Sequence, residues 1–382
     1  MAARREARGG SADRAATSPP RVVMWAHLPP AGGGPTRVAR NLAADPDLNA
    51  RFRMEFRGTH EASPDRVGRI HLHNVWRALR DAGSMFRQVR GASVVEVFSS
   101  GHTTMVLVRA LLLTIAARLA GAKVLLFLGS GRLYPSEPSE FVPTRGMPQM
   151  YRVLSWLVAS FVIIDDLARP VLAPMVGRAR VEMIPPPLDE DRFTAPPRSA
   201  TTTPVLVHAG RITREKGVLD LLEACRLLDE RGTTSWELRL VGPLERSTTG
   251  ELGQIERTAE DLGRVTFVGW VDDISPELAK GDVFVSASHR EGLSGSIAEA
   301  AMSGLPVVAS DVGAVNTIVR DGLDGFVVPP HEPVAFADAL QRVVEDPALR
   351  LEMGERARHH SIDLYGRERI AARYAALIGE LV

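Results

Sequence analysis

The stretch from Ser286 to Pro330, SASHREGLSGSIAEAAMSGLPVVASDVGAVNTIVRDGLDGFVVPP, restricts the possible fold more than any other part of the chain. It is entered through an apolar strand, Asp282 to Ser288, which runs into His289-Arg290-Glu291-Gly292. A turn, Ser294-Gly295-Ser296, then opens a helix that carries Glu299 and reaches about Ser303. A second strand, Pro306 to Ala309, ends on the turn Asp311-Val312-Gly313. Strand, loop, helix and strand in this order form a βαβ unit of a parallel sheet. Such units bind ligands beyond the carboxyl ends of their strands.

Two carboxylates sit at that end, Glu291 in the loop and Glu299 inside the helix, with seven residues between them. The backbone N–H groups of Ser294, Gly295 and Ser296 have no partner within the helix, so they suit an anion at its positive end. Gly292 and Gly295 leave room for a ligand against the main chain. Helical side chains lean toward the N-terminus, which returns Glu299 to the same cleft. A carboxylate only accepts hydrogen bonds, and its two oxygens match a pair of neighbouring sugar hydroxyls. Taken by themselves, the two glutamates also fit a charged surface helix that begins with Ser and Gly.

The surrounding residues separate those readings. Glu291-Gly292-Leu293, Glu299-Ala300-Ala301, Gly304, Pro306-Val307-Val308-Ala309-Ser310, Gly313, Asp321-Gly322, Gly325 and Val328-Pro329 resemble the E-x7-E signature of family-4 retaining glycosyltransferases. That resemblance implies a GT-B fold, in which two Rossmann-like domains face each other across a cleft. It extends upstream to Gly210-Arg211-Ile212-Thr213-Arg214-Glu215-Lys216-Gly217, after the strand Pro204 to Ala209, which is similar to the family's G-R-[LI]-x-x-x-K-G motif. Arg offers a planar fork of donors and Lys a compact charge, so together they can clamp a diphosphate.

The resemblance implies catalytic roles for Arg211, Lys216 and Glu291, and donor contacts from Gly210, Gly292, Leu293, Ser294, Gly295 and Glu299. It also places Gly242 and Val271, at the ends of the strands Leu238–Val241 and Val265–Val268, beside a nucleobase.

The first half carries weaker signals. The strand Val22 to Ala26 leads into a Gly- and Pro-rich loop and then a helix from about Thr36 to Ala44. A Gly-rich loop between strand and helix can cradle an anion, and the resemblance puts Gly33 and Gly34 near the donor phosphates. His102 follows the strand Val94–Phe98 at its carboxyl end, where contact with donor or acceptor and a structural role are both open. Gly129-Ser130-Gly131 follows Lys123–Leu128, but Tyr134 replaces the third glycine of a dinucleotide loop and Pro135 breaks the helix. The family's usual His-Gly pair is missing there. Asn74 to Arg90 interleaves Trp76, Leu79, Phe86 and Val89 with Arg77, Arg80, Arg87 and Arg90, a pattern that fits an anionic bilayer surface or an ordinary half-buried helix. The apolar runs Met105–Ala120 and Val153–Ile164 are too short to span a membrane.

The expected organisation is a disordered tail over 1–20, an acceptor-side domain over 21–198, a donor domain over 199–361, and a last helix over 362–382 that crosses back to the first domain. Pro196 to Thr203 reads as the linker. The chain of 382 residues is long enough for two cores. Its net charge of zero hides an asymmetry: residues 1–198 hold 27 Lys and Arg against 17 Asp and Glu, and the remainder hold 19 against 29. A basic first half suits an anionic partner, such as a phosphorylated acceptor or a membrane surface. The single cysteine, Cys225, lies in an apolar helical pattern, and with no disulfide possible within one chain a reducing cytoplasm is expected.

The function the resemblance implies is metal-independent transfer of a sugar, with retention, from a nucleotide diphosphate sugar to an acceptor hydroxyl. Neither a cofactor nor a nucleic-acid partner is implied. Asp45-Pro46-Asp47 spells a metal-binding D-x-D, but in turn-like surroundings at a helix end. The rival readings are a nucleotide-sugar-binding protein without transfer activity and a nicotinamide-dependent dehydrogenase; the missing G-x-G-x-x-G weighs against the second.

Overall fold

A computed structural model of the protein describes residues 18–28, 34–60, 72–129, 143–194, 203–244 and 251–382. The expected tail over residues 1–17, Gly33, Ser130-Gly131, Tyr134 and Pro135, and nearly all of the expected linker, lie outside them.

Among the described residues, twelve strands form two separate parallel sheets. The first contains β1 (Arg21–Leu28), β2 (Arg53–His60), β3 (Val94–Ser99), β4 (Lys123–Leu128), β5 (Ser160–Ile163) and β6 (Val181–Met183), in the spatial order β2-β1-β3-β4-β5-β6. The second contains β7 (Val205–Ala209), β8 (Glu237–Val241), β9 (Val265–Gly269), β10 (Val283–Ser286), β11 (Val307–Ser310) and β12 (Gly325–Val328), in the order β12-β11-β10-β7-β8-β9. Strands covered on both faces read as unbroken apolar runs rather than alternating ones; β3, β5, β10 and β11 are buried at every position. Helices connect successive strands, as parallel pairing requires.

Strand order decides where a ligand can sit. In the second sheet the chain builds outward through β7, β8 and β9, then returns to add β10 on the other side of β7. At that reversal the loops after β7 and β10 turn away from one another and leave a crevice at their carboxyl ends. Those two loops carry Gly210–Lys216 and His289–Ser294.

Some elements differ from the sequence expectation. Gly34 belongs to the helix Gly34–Ala44 rather than to the loop before it, because Pro35 holds the φ of a first helical turn. The apolar run Val153–Ile164 divides into the end of the helix Met147–Leu157 and strand β5. The break falls where the Ala159 N–H reaches Val124 O at 2.7 Å and the chain enters the sheet. Asp45 caps the short helix Pro46–Asn49 through the N–H groups of Asp47 and Leu48, both at 3.0 Å. Arg367 binds Asp45 and Asp47 at 3.1 and 2.9 Å, so the D-x-D letters serve as a cap and an ion-pair partner.

The chain passes between the halves twice at one place. Leu188 N–H donates to Tyr365 O at 2.8 Å, and the helix Arg367–Gly379 then buries Ile370, Ala371, Tyr374, Leu377 and Ile378 in the core of the first sheet. Cys225 is buried in the second core, where burial pushes its thiol pKa up. Among the described residues no helix is long and apolar enough to cross a membrane.

Candidate functional site

Three strand ends converge on the crevice. Gly210 N–H donates to Val241 O at 2.9 Å, and Gly242 N–H donates to Gly269 O at 2.8 Å, so the chain leaves β7, β8 and β9 in contact. Gly242 has a φ of 139°, and a Cβ there would lie 1.9 Å from Gly210 O. Only glycine permits that approach. Gly217 serves the loop after β7 in the same way: at φ 65° its hypothetical Cβ would stand 1.7 Å from Ala287 O. This close approach lays the loop of Lys216 against the loop of Glu291, and His289 N–H donates across to Glu215 O at 3.0 Å.

The charged groups meet as a consequence. Lys216 Nζ donates to Glu291 Oε1 at 2.7 Å, and Ser288 Oγ donates to the same oxygen at 2.9 Å. Both partners of the pair are mostly shielded from solvent, which strengthens the attraction over an exposed pair. Arg211, more exposed, lies 3.6 Å from Glu215. The helix Gly295–Met302 starts beside the pair, and Ser294 at its N-cap makes no side-chain capping bond. Its first N–H groups therefore keep their capacity for an anion. Glu299 is 8% exposed, and burial pushes its pKa up against the pull of Arg37 and Arg192.

A cavity of about 500 Å³ gathers these groups. Gly210, Arg211, Lys216, Glu291 and Glu299 line one part of it, and Leu293, Ser294, Gly295, Gly242 and Val271 complete its wall. Gly292 does not line it; its carbonyl accepts from Ala314 N–H at 3.1 Å and holds the loop in place. His102 lines neither this cavity nor the smaller one beside it. The second cavity, about 230 Å³, lies between the halves against Val38, Phe127, Pro187 and Leu293, and shares Arg37, Arg192 and Glu299 with the first.

Four residues of this region were not singled out from sequence. Arg37, from the first half, approaches Glu299 Oε1 at 3.7 Å and bridges the cleft. Arg192, from the segment joining the halves, holds Asp273 Oδ1 at 2.9 Å. Trp270 lines the cavity next to Val271 and is 72% exposed, an aromatic face open at a strand end; its place after β9 is the one signal that sequence offers for it. His208, on β7 beneath Gly210, is buried, with Nδ1 3.1 Å from Val285 O. Burial lowers its pKa to about 4, aided by Lys216, so the ring is neutral at pH 7 and Nε2 is an acceptor.

One likeness to known proteins falls on the half that carries Arg211, Lys216, Glu291 and Glu299. Residues 203–346 match the family described as glycosyl transferases group 1. A lipopolysaccharide core biosynthesis glycosyltransferase of Rhizobium meliloti is 35% identical over 211 residues, which are 54% of this chain and 57% of that protein. A 2-deoxystreptamine glucosyltransferase of Streptomyces kanamyceticus is 26% identical over 338 residues, covering 82% of this chain and 85% of that one. The chain spans between 40% and 57% of the length of the first three relatives it matches. Among solved structures, Anabaena HepE in complex with UDP superposes with a TM-score of 0.73 at 15% identity, covering 94% of this chain and 100% of that one. Sucrose-phosphate synthase of Thermosynechococcus elongatus superposes with a TM-score of 0.70 at 20% identity, covering 95% and 99%. The fold is that of the GT-B glycosyltransferases, as the sequence implied.

Proposed function

We propose that the protein is a retaining glycosyltransferase of family 4 that moves a sugar from a nucleotide diphosphate sugar to an acceptor hydroxyl without a reaction metal. One observation carries the reading: a single cavity gathers four cations (Arg37, Arg192, Arg211 and Lys216), three carboxylates (Asp272, Glu291 and Glu299) and an uncapped helix N-terminus around space for an extended anion. The matched family and relatives support it, as do neighbours of the same fold solved with UDP and with UDP-glucose.

The chemistry follows from what each group can do. A diphosphate lies against the N–H groups of Gly295 and Ser296, and Arg211 and Lys216 neutralise the charge that grows on it as the glycosidic bond breaks. Lys216 stands on Glu291 beforehand, so the arriving anion shares an ammonium that is already positioned. Glu299 accepts from the ribose diol, and Arg37 steadies it from across the cleft. Glu291 accepts from the donor sugar's hydroxyls and orients the anomeric carbon. The acceptor oxygen bonds to that carbon on the face the phosphate leaves, and the departing phosphate oxygen takes the acceptor proton. Trp270 offers a stacking surface for the base.

The test is turnover: purified protein, a panel of nucleotide sugars with chelator present, and release of the nucleoside diphosphate followed with candidate acceptors. One donor consumed, with the anomeric configuration of its sugar kept in the product, is the expected result. Tight donor binding with no turnover on any acceptor would support the non-catalytic binding reading instead.

The basic first half adds a partner to this reading, an anionic membrane surface. The helices Leu72–Gln88, Thr104–Leu119 and Met147–Leu157 pack side by side. They leave Trp76 61% and Trp156 87% exposed among Arg77, Arg80 and Arg152. Indole rings and arginines of this kind sit well at a headgroup boundary. Co-sedimentation with phosphatidylserine vesicles but not phosphatidylcholine vesicles is expected, and loss of binding in Trp156→Ala.

A further inference from the structure

The geometry points to a divalent transition-metal site, of the kind zinc occupies, at Asp220, His289 and His331. One ligand atom from each of these residues lies within 4.8 Å of the others. His289 Nε2 is 2.8 Å from Asp220 Oδ2, and His331 Nδ1 is 3.9 Å from the same oxygen. Two ligands of one tetrahedral zinc ion stand about 3.4 Å apart, given bonds near 2.1 Å, so the observed separations bracket that value. The two imidazole rings lie 3.9 Å apart, centroid to centroid. Two imidazoles and a carboxylate favour zinc, nickel or copper over magnesium or calcium, which prefer oxygen ligands.

His331 gives the cluster a meaning beyond a polar surface contact. Its φ is 63°, and among the described residues it is the one non-glycine residue in the left-handed region. A side-chain-bearing residue held there is strained unless its surroundings compensate. Packing compensates little, since beyond its ring contact with His289 the His331 side chain is 64% exposed. Its approach to Asp220, at 3.9 Å, is too long for a hydrogen bond. The conformation does aim the third ligand at the other two.

The site is built from three segments of the second half. Asp220 lies in the first turn of the helix Val218–Glu230, His289 in the loop after β10, and His331 in the loop after β12. His289 stands two residues before Glu291, and Asp220 four residues after Lys216. A bound ion therefore braces the two loops that bring Lys216 onto Glu291 without touching either. It is a positioning site, and it stands independently of the transferase reading because binding is read directly.

The experiment uses the full chain, stripped by chelator and titrated with Zn²⁺ by calorimetry, with thermal midpoints measured alongside. His331→Gly relieves the left-handed strain and removes one ligand, so a folded variant is available; Asp220→Asn is the second. Wild type is expected to bind one Zn²⁺ per chain with a raised midpoint, and to ignore Mg²⁺. Each variant is expected to lose about 100-fold in Zn²⁺ affinity, at the upper end of what even an outer-shell change removes. Absence of Zn²⁺ binding by wild type would overturn the proposal, and so would equal affinity in wild type and both variants, which would assign the ion to other residues.

Discussion

The two halves share a six-stranded parallel sheet under helices, and they bury polar groups in different places. In the first half Glu96 sits in mid-strand on β3, fully buried, with Tyr374 Oη 3.3 Å from its carboxyl oxygen. In the second half the buried polar side chains around the crevice lie at or one residue short of strand ends and in the loops and helix that follow them: His208, Ser286, Ser288, Ser294 and Glu299. A polar group in mid-strand can be satisfied only by another piece of the fold, here the last helix crossing from the other half. A polar group at a parallel strand's carboxyl end faces the crevice and can be satisfied by a ligand. The position of a buried polar group along its strand thus separates groups that join the halves from groups that serve the site.

That contrast breaks first at Lys216. Lys216→Ala should lower kcat/KM for transfer by at least about 100-fold, or 2.7 kcal/mol, while moving the thermal midpoint little. A large loss of stability with unchanged turnover would make the pair with Glu291 structural.

Glu96→Gln tests the other side. Burial raises the Glu96 pKa from 4.5 to about 8, with the Tyr374 contact opposing it. Between those values the unfolded chain releases a proton that the folded chain retains, so stability should fall as pH rises through this window and level off above it. Glu96→Gln keeps the neutral state at every pH and should gain about 4 kcal/mol over wild type at pH 8, with little difference at pH 4. Thermal melts of both proteins across that range check it. Donor affinity should stay the same.

Smallest in effect is Trp270→Ala. Removing an open aromatic surface should weaken nucleoside diphosphate binding by about 1 kcal/mol, roughly fivefold, if the ring stacks on the base. Calorimetry with the free nucleoside diphosphate measures this apart from chemistry.

How much of this was legible from sequence follows the same line. The parallel sheets were, because uninterrupted Val-rich runs alternate with helical patterns and close on glycine; the GT-B fold was implied by the resemblance of the Glu291–Pro329 stretch to family-4 glycosyltransferases. Lys216, Glu291 and Glu299 stood out because each sits in a stretch of letters that resembles a family motif, Gly210–Gly217 or Glu291–Pro329; taken alone, the charged residues also fit a solvated surface. Arg37 did not: its partner is Glu299, in the other half, and no local pattern announces a pairing across a cleft. Tyr374 and Glu96 were hidden for the same reason, being 278 positions apart. The Asp45-Pro46-Asp47 letters show the reverse, since a motif with a chemical meaning elsewhere is here a helix cap bound by Arg367. Gly33 and the segment 130–142 lie outside the described residues, so the first half's share of the site is represented here by Arg37 and the walls of the smaller cavity.

The proposed nucleoside diphosphate site is the crevice at the ends of β7 and β10, with Lys216 as its key cation. A direct test is calorimetric titration of wild type and Lys216→Ala with UDP, GDP, ADP, TDP and NAD in the presence of chelator. One nucleoside diphosphate binding wild type, at least about tenfold more weakly in the variant, is the predicted result. Binding of NAD alone, or a nucleoside diphosphate affinity that Lys216→Ala leaves unchanged, would contradict it.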